Sequence, residues 1–280
     1  MSLIIAGEIK TESEPCVIAW DNNLFVGDEG GSIKSYNADL VPGASWTAHS
    51  VQIFALAAGD GKVYSSSNDG GVRVWSPQGE KIKEFQYSGA DVGALHVFGK
   101  HLYAGDEGGN VILYENNVEK AKYNVLEEVK DLWFSEPYLF TARDLDVTVT
   151  EIKPEESKTK FITRHTMEGR APLRISGSRL LILARGGNNL RMHDASIETT
   201  FKVLHEVKVS DMIVTSLTTS NNDVWTGGWD GCIRRWKISG DKLEPAGEIS
   251  VQACINAIVA NENSVYAAVS GGKIVHVKGS

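Results

Sequence analysis

The 280-residue chain is poor in proline (7) and cysteine (3), and it lacks any long apolar run. With no stretch of ~18 apolar residues, no transmembrane helix and no membrane partner are expected. Cys16, Cys232 and Cys254 are scattered, odd in number and form no CxxC pair. That pattern argues against a disulfide scaffold and against a zinc site, and it fits a reducing compartment. The opening MSLIIAGEIKTESEP has no basic n-region and only a brief apolar stretch, so it does not read as a signal peptide. No N-x-S/T sequon occurs. A cytoplasmic location is therefore expected, with the nucleus left open.

Positive charge is also scarce. Lys and Arg total 28 against 36 Asp and Glu, a net charge of −8. Nucleic-acid binders usually carry a basic face, so no nucleic-acid partner is expected. The chain contains no GxxxxGK[ST] loop, no GxSxG elbow, no GxGxxG opening a helix and no HExxH. The seven His and three Cys fall at no metal-ligand spacing. The reading is of a protein that is not an enzyme, without cofactor or metal.

What is abundant is glycine: 28 residues, a tenth of the chain. Its placement follows a repeat. A small, acidic, Gly-containing turn leads into an alternating segment in DEGGSIKSY (ending at Tyr36), NDGGVRVW (Trp75) and DEGGNVILY (Tyr114). The pattern continues in DLDVTVTEI (Ile152), RGGNNLRMH (His193), WDGCIRRW (Trp236) and SGGKIVHV (Val277). The intervals are 39, 39, 38, 41, 43 and 41 residues. Each unit holds four short segments rich in β-branched and aromatic residues, bounded by turn formers. In the second unit they begin at Ile53, Lys62, Gly71 and Lys81. No segment sustains a helical period. The glycines belong to hairpin turns, where positive φ is needed.

Four strands per ~40 residues, repeated, is the signature of a β-propeller blade. NDGGVRVW and GGWDGCIRRW resemble the WD40-repeat family, and the resemblance extends over essentially the whole chain. The other units are degenerate. Only Ala48-His49 approximates the family's Gly-His dipeptide, and Trp75 and Trp236 stand where the Trp of its WD dipeptide belongs. The resemblance implies an all-β, seven-bladed propeller of four-stranded antiparallel blades, one domain over residues 1–280.

The seventh unit stops after its third strand. Residues 3–10, LIIAGEIK, share AGEI (6–9) with the fourth strand of the sixth unit (246–249). They are expected to supply the missing strand and close blade seven, leaving no open sheet edge. Ile53, Leu56 and Tyr64 in blade two, and Leu132, Trp133, Leu139 and Phe140 in blade four, are expected in the core.

The resemblance also assigns roles. Asp69, Asp146 and Asp230 match the family's turn Asp, and Trp75 and Trp236 its third-strand Trp. In blade two His49 is expected to join Asp69 through a hydroxyl of Ser65 or Ser66 to Trp75, a structural network rather than a hydrolase triad. The two residues ahead of the turn-Asp position are expected on a partner-binding rim. They include Asp28 and Glu29, Asn68, Asp106 and Glu107, Asp144, Arg185, and Trp229. The acids would form an arc for a basic peptide or protein tail, with Trp229 as an apolar anchor. Loops at 164–170 and 205–208 are weaker candidates for the same rim, and residues 153–158 read as a polar loop on the opposite one.

The function expected is a non-catalytic scaffold or adaptor that is monomeric by itself or part of a complex. Two alternatives are a structural subunit that uses its circumference and a propeller hydrolase or small-ligand binder.

Overall fold

The computed structural model describes residues 2–86 and 89–279. Among them the regular elements are strands, arranged as seven four-stranded antiparallel sheets. No helix among the described residues is long and apolar enough to cross a membrane. The chain divides into two compact units, Ala19–Met167 and Met1–Ile18 with Glu168–Ser280.

The unit Ala19–Met167 carries sheets I to IV, apart from Pro15–Ile18 of the first strand and Glu168 at the end of the last. Sheet I is Pro15–Asp21, Asn23–Asp28, Ser32–Tyr36 and Pro42–Thr47. Sheet II is Ala55–Gly59, Lys62–Ser66, Val72–Trp75 and Lys81–Phe85. Sheet III is Val92–Phe98, His101–Asp106, Asn110–Glu115 and Val118–Asn124. Sheet IV is Asp131–Ser135, Tyr138–Ala142, Asp146–Ile152 and Phe161–Glu168.

The second unit carries sheets V to VII. Sheet V is Arg170–Ser176, Arg179–Leu183, Asn189–Asp194 and Val203–Lys208. Sheet VI is Val214–Ser220, Asp223–Gly228, Cys232–Ser239 and Lys242–Ser250. Sheet VII runs Ile255–Asn261, Ser264–Val269, Lys273–Gly279 and then, from the other end of the chain, Leu3–Lys10. The N-terminal segment is its fourth strand, as the AGEI repeat anticipates. Leu3 pairs with Gly279, and Lys10 with Lys273.

The AGEI repeat has a structural meaning. The ladder between third and fourth strands slips beside the third-strand ring: between Val74 and Trp75, Leu113 and Tyr114, Met192 and His193, and Arg235 and Trp236. The extra residue of such a bulge is left out of the pairing and bends the strand. In sheet VI that residue is Ala246, between Pro245 opposite Trp236 and Gly247 opposite Arg235. In sheet VII it is Ala6, between Ile5 and Gly7. The same tetrapeptide builds the same bulge twice.

The core lies between neighbouring sheets. Tyr64, Val74 and Phe85 of sheet II meet Leu102, Ile112 and Tyr114 of sheet III, with the Phe85 and Tyr114 rings stacked at 4.0 Å. Sheets III and IV share Tyr103, Tyr123, Leu132, Phe134 and Leu139. In the other unit, Leu181, Met192, Leu217 and Trp236 join sheets V and VI. Leu3, Trp225, Ile233, Ile255 and Val277 join VI and VII, so the closing strand is itself anchored in a core. Each such side chain contributes on the order of 2 kcal/mol by leaving water.

Ile53, Tyr64, Leu132, Leu139 and Phe140 are buried as expected. Leu56 and Trp133 are only half-buried. On a first strand successive side chains take opposite faces, so Ala55, Ala57, Leu132 and Phe134 take the buried one. The stretches around Arg164 and His205 are not loops. They form the outer strands Phe161–Glu168 and Val203–Lys208. A strand with one unpaired edge tolerates Arg, His, Thr and Lys, which is why they read as loop residues.

Candidate partner-binding turns

In sheets I, III, V and VI the turn between second and third strands is met by the loop that leaves for the next sheet. Gly31 and Gly109 show why glycine is needed. At φ +85° and +79°, an added Cβ would lie 2.3 Å from the His49 carbonyl oxygen and 2.7 Å from the Glu127 nitrogen. The carbonyl of Gly31 then accepts the amides of Ala48 and His49, and that of Gly109 accepts Val125 N–H.

A turn so tight leaves main-chain amides without partners, and a carboxylate supplies them. In sheet II it is Asp69. Its Oδ2 accepts Ser50 N–H at 2.7 Å, and Oδ1 lies 2.6 Å from His49 Nδ1. His49 Nε2 lies 2.8 Å from Ser65 Oγ, which also accepts Trp75 Nε1–H at 2.9 Å. Arg73 Nη1 adds a contact of 3.1 Å to Asp69. Burial by itself would raise the Asp69 pKa, but the Ser50 amide and His49 outweigh it and hold the group at about 2. Burial lowers the pKa of His49 despite Asp69. Ser65 is fully buried and occupied on both sides, so this is not a nucleophile open to substrate.

Sheet VI repeats part of the network. Trp236 Nε1 donates to Thr226 Oγ1 at 3.0 Å, and Asp230 accepts Cys232 N–H at 3.1 Å and Arg234 Nη1 at 2.7 Å. Ser210 follows Val209 as His49 follows Ala48, and it is too short to bridge Asp230 to Thr226. In sheet IV, Asp146 opens the third strand, and its carbonyl accepts Arg143 N–H at 3.0 Å.

Sheets I and III place glycine (Gly30, Gly108) where sheet II has Asp69. The carboxylate two residues earlier takes over. Asp28 Oδ1 accepts Gly30 N–H at 3.0 Å and Ser32 N–H at 2.9 Å. Asp106 Oδ1 accepts Asn110 N–H at 2.8 Å, and its Oδ2 accepts Asn110 Nδ2 at 2.9 Å. Asp28 and Asp106 are only 8% and 3% exposed. Their side chains hold turns and do not face solvent, which removes two members from the expected acidic arc.

The neighbouring carboxylates do reach solvent. Glu29, Glu107 and Asp144 are exposed, as is Asn68 at the equivalent turn of sheet II. Asp144 pairs with Lys130 at 2.5 Å and raises the pKa of that lysine. In the other unit, Arg185 is exposed with Nε 3.9 Å from Glu168. Trp229 is 54% exposed, its amide donating to the Ile213 carbonyl at 3.0 Å. Met212 beside it is exposed too.

The sequence reading passed over Glu14. Its Oε2 accepts both Gly271 and Gly272 amides at 3.0 Å, and Oε1 accepts Asn256 Nδ2 at 2.9 Å. In sheet VII, which has glycine at the turn-Asp position, the cap comes from the segment after the closing strand. Among the described residues no group of three or more His, Cys, Asp or Glu side chains is placed to hold a metal ion.

No protein-family model and no curated protein matches the chain. Solved structures do. One titled as the structure of U3-55K has a TM-score of 0.82 at 15% identity, covering 99% of this chain and 98% of its own. The fold is that of the seven-bladed WD40-repeat propellers. The WD40 repeats of RRP9 match with TM-score 0.82, 15% identity and coverage of 99% and 97%. A chain of a mitotic checkpoint complex matches with TM-score 0.82, 16% identity and coverage of 98% and 91%.

Proposed function

We propose that this chain is a non-catalytic protein-interaction scaffold whose second-to-third-strand turns receive a basic segment of a partner protein. One observation carries the reading. At equivalent turns Asp28 and Asp106 are buried as turn fixers, while Glu29, Glu107 and Asp144 are left at the surface. A rigid scaffold presents such charges with little ordering cost, and complementary charge steers and orients a partner. In the other unit, the exposed Trp229 suits the same role as an apolar contact. The structural neighbours support protein partners in general, since one of them is titled as part of a checkpoint complex. The three free cysteines fit a reducing compartment such as the cytoplasm.

The test is binding of a fluorescent oligolysine peptide to the native chain and to a Glu29→Lys/Glu107→Lys/Asp144→Lys variant. Binding is expected to weaken about tenfold or more, with unchanged far-ultraviolet circular dichroism. Equal binding by both proteins overturns the reading.

A further inference from the structure

Eleven described non-glycine residues have positive φ. Eight are polar: Asn22, Asp60, Asn116, Asn117, Thr200, Asn221, Gln252 and Glu262. Three are apolar. Leu40 and Phe201 are 4% and 1% exposed, so burial compensates for their backbone. Leu126, whose amide donates to Asn124 Oδ1 at 3.1 Å, has no such burial. It holds φ +75° and is 83% exposed. An L-residue with a bulky side chain is disfavoured in the left-handed region, where Asn or Gly would serve better. An apolar side chain in water gains nothing in return. Leu126 therefore disfavours the free protein on two independent counts, and such an outlier points to use.

Its surroundings say what kind of partner it meets. The loop 125–130 is fixed by Val125 N–H to the Gly109 carbonyl, Val129 N–H to the Asp106 carbonyl and Lys130 N–H to the Ala142 carbonyl. It thus lies between the turns that carry Glu107 and Asp144. The exposed carboxylates of this loop and of the two turns it joins include Glu107, Glu127, Glu128 and Asp144, and its cations include Lys130 and Arg143. Lys130 bridges Asp144 at 2.5 Å and Glu128 at 3.6 Å, and Arg143 pairs with Glu127 at 2.5 Å. Two cations for four acids leave the patch negative. Leu145, next to Asp144, is also exposed.

We infer that Leu126 is the apolar anchor of this surface, and that its occupant is a partner segment in which Lys or Arg flanks apolar side chains. The inference rests on the scaffold reading above and sharpens it: charge alone does not define the partner. The apolar side chains of the segment cover Leu126, and its cations meet Glu107, Glu127, Glu128 and Asp144.

Two labelled peptides of equal length and charge test this, one of Lys with Leu and one of Lys with Ser. The native chain is expected to bind the Lys/Leu peptide at least about fivefold more tightly. Leu126→Asn removes that preference, leaves the Lys/Ser peptide unaffected, and raises the melting temperature by about 2 °C as the strain is relieved. If Leu126→Asn leaves the preference intact, or lowers the melting temperature, the anchor is elsewhere while the acidic surface stands. If the triple charge reversal weakens neither peptide, the scaffold reading fails and the anchor fails with it.

Discussion

Glu14 and Gly272, 258 residues apart in the chain, are joined by a hydrogen bond of 3.0 Å from amide to carboxylate. With Gly271 and Asn256 on the same carboxylate, this one side chain serves three donors of sheet VII. Removing it orphans two turn amides, which costs about 1–3 kcal/mol. Glu14→Ala is expected to lower the urea midpoint accordingly, with an unchanged m-value, while Glu14→Gln keeps part of the loss back. An alanine variant as stable as the native chain would show that water replaces the carboxylate at no cost.

Deleting residues 1–10 takes away the fourth strand of sheet VII and exposes Lys273–Gly279 as a bare edge next to the core around Leu3. Calorimetry is expected to show a severely weakened, poorly cooperative transition, with aggregation through the uncovered edge. Ordinary cooperative melting of the shortened chain would contradict the role assigned to this strand.

Asp106 and Glu107 are neighbours with opposite duties. Asp106→Ala is expected to destabilise by about 1–2 kcal/mol, because it uncaps the turn at Asn110. Glu107→Ala is expected to stay within about 0.5 kcal/mol of native. Asp28 and Glu29 should show the same contrast, and chemical denaturation of the four single variants measures it.

Acid should weaken the protein through sheet II in two stages. Burial depresses the pKa of His49 below its ordinary 6.5. The unfolded chain therefore takes up that proton first, and stability falls as pH drops below 6.5. Asp69 is held at about 2 against 3.8 when unfolded. Its contribution is complete above 3.8 and is lost as pH falls from there through about 2. Asp69→Asn should therefore be less stable than native at pH 5 and lose that difference near pH 2. A constant difference across the range would rule out the ionised Asp69 as the source.

Much of this molecule is legible in its sequence, and the reasons for the rest are physical. Seven spaced Gly-and-alternation units announce seven sheets, because each must turn tightly and then bury one face. The AGEI repeat announces the closing strand, because a bulge is a local requirement. Asp28 and Glu29 are alike on the page, yet burial separates them into a turn fixer and a surface charge. The clue was present in DEGG against SNDG: in sheets I and III, where glycine replaces the turn Asp, the carboxylate two places upstream does its work. Glu14 left no such clue, since it acts on glycines at the far end of the chain. Leu126 is an ordinary loop leucine until its φ is known.

The pairing of Leu3 with Gly279 has a mechanical consequence. These two strands run antiparallel, with residues 3 and 279 side by side at one end of the ladder. Tension applied to residues 3 and 279 therefore bears on the ladder one rung at a time, opening it like a zipper, where a parallel arrangement would load every rung at once in shear. Pulling residues 3 and 279 apart is therefore expected to open the seventh sheet at a lower force than shearing the same ladder would need.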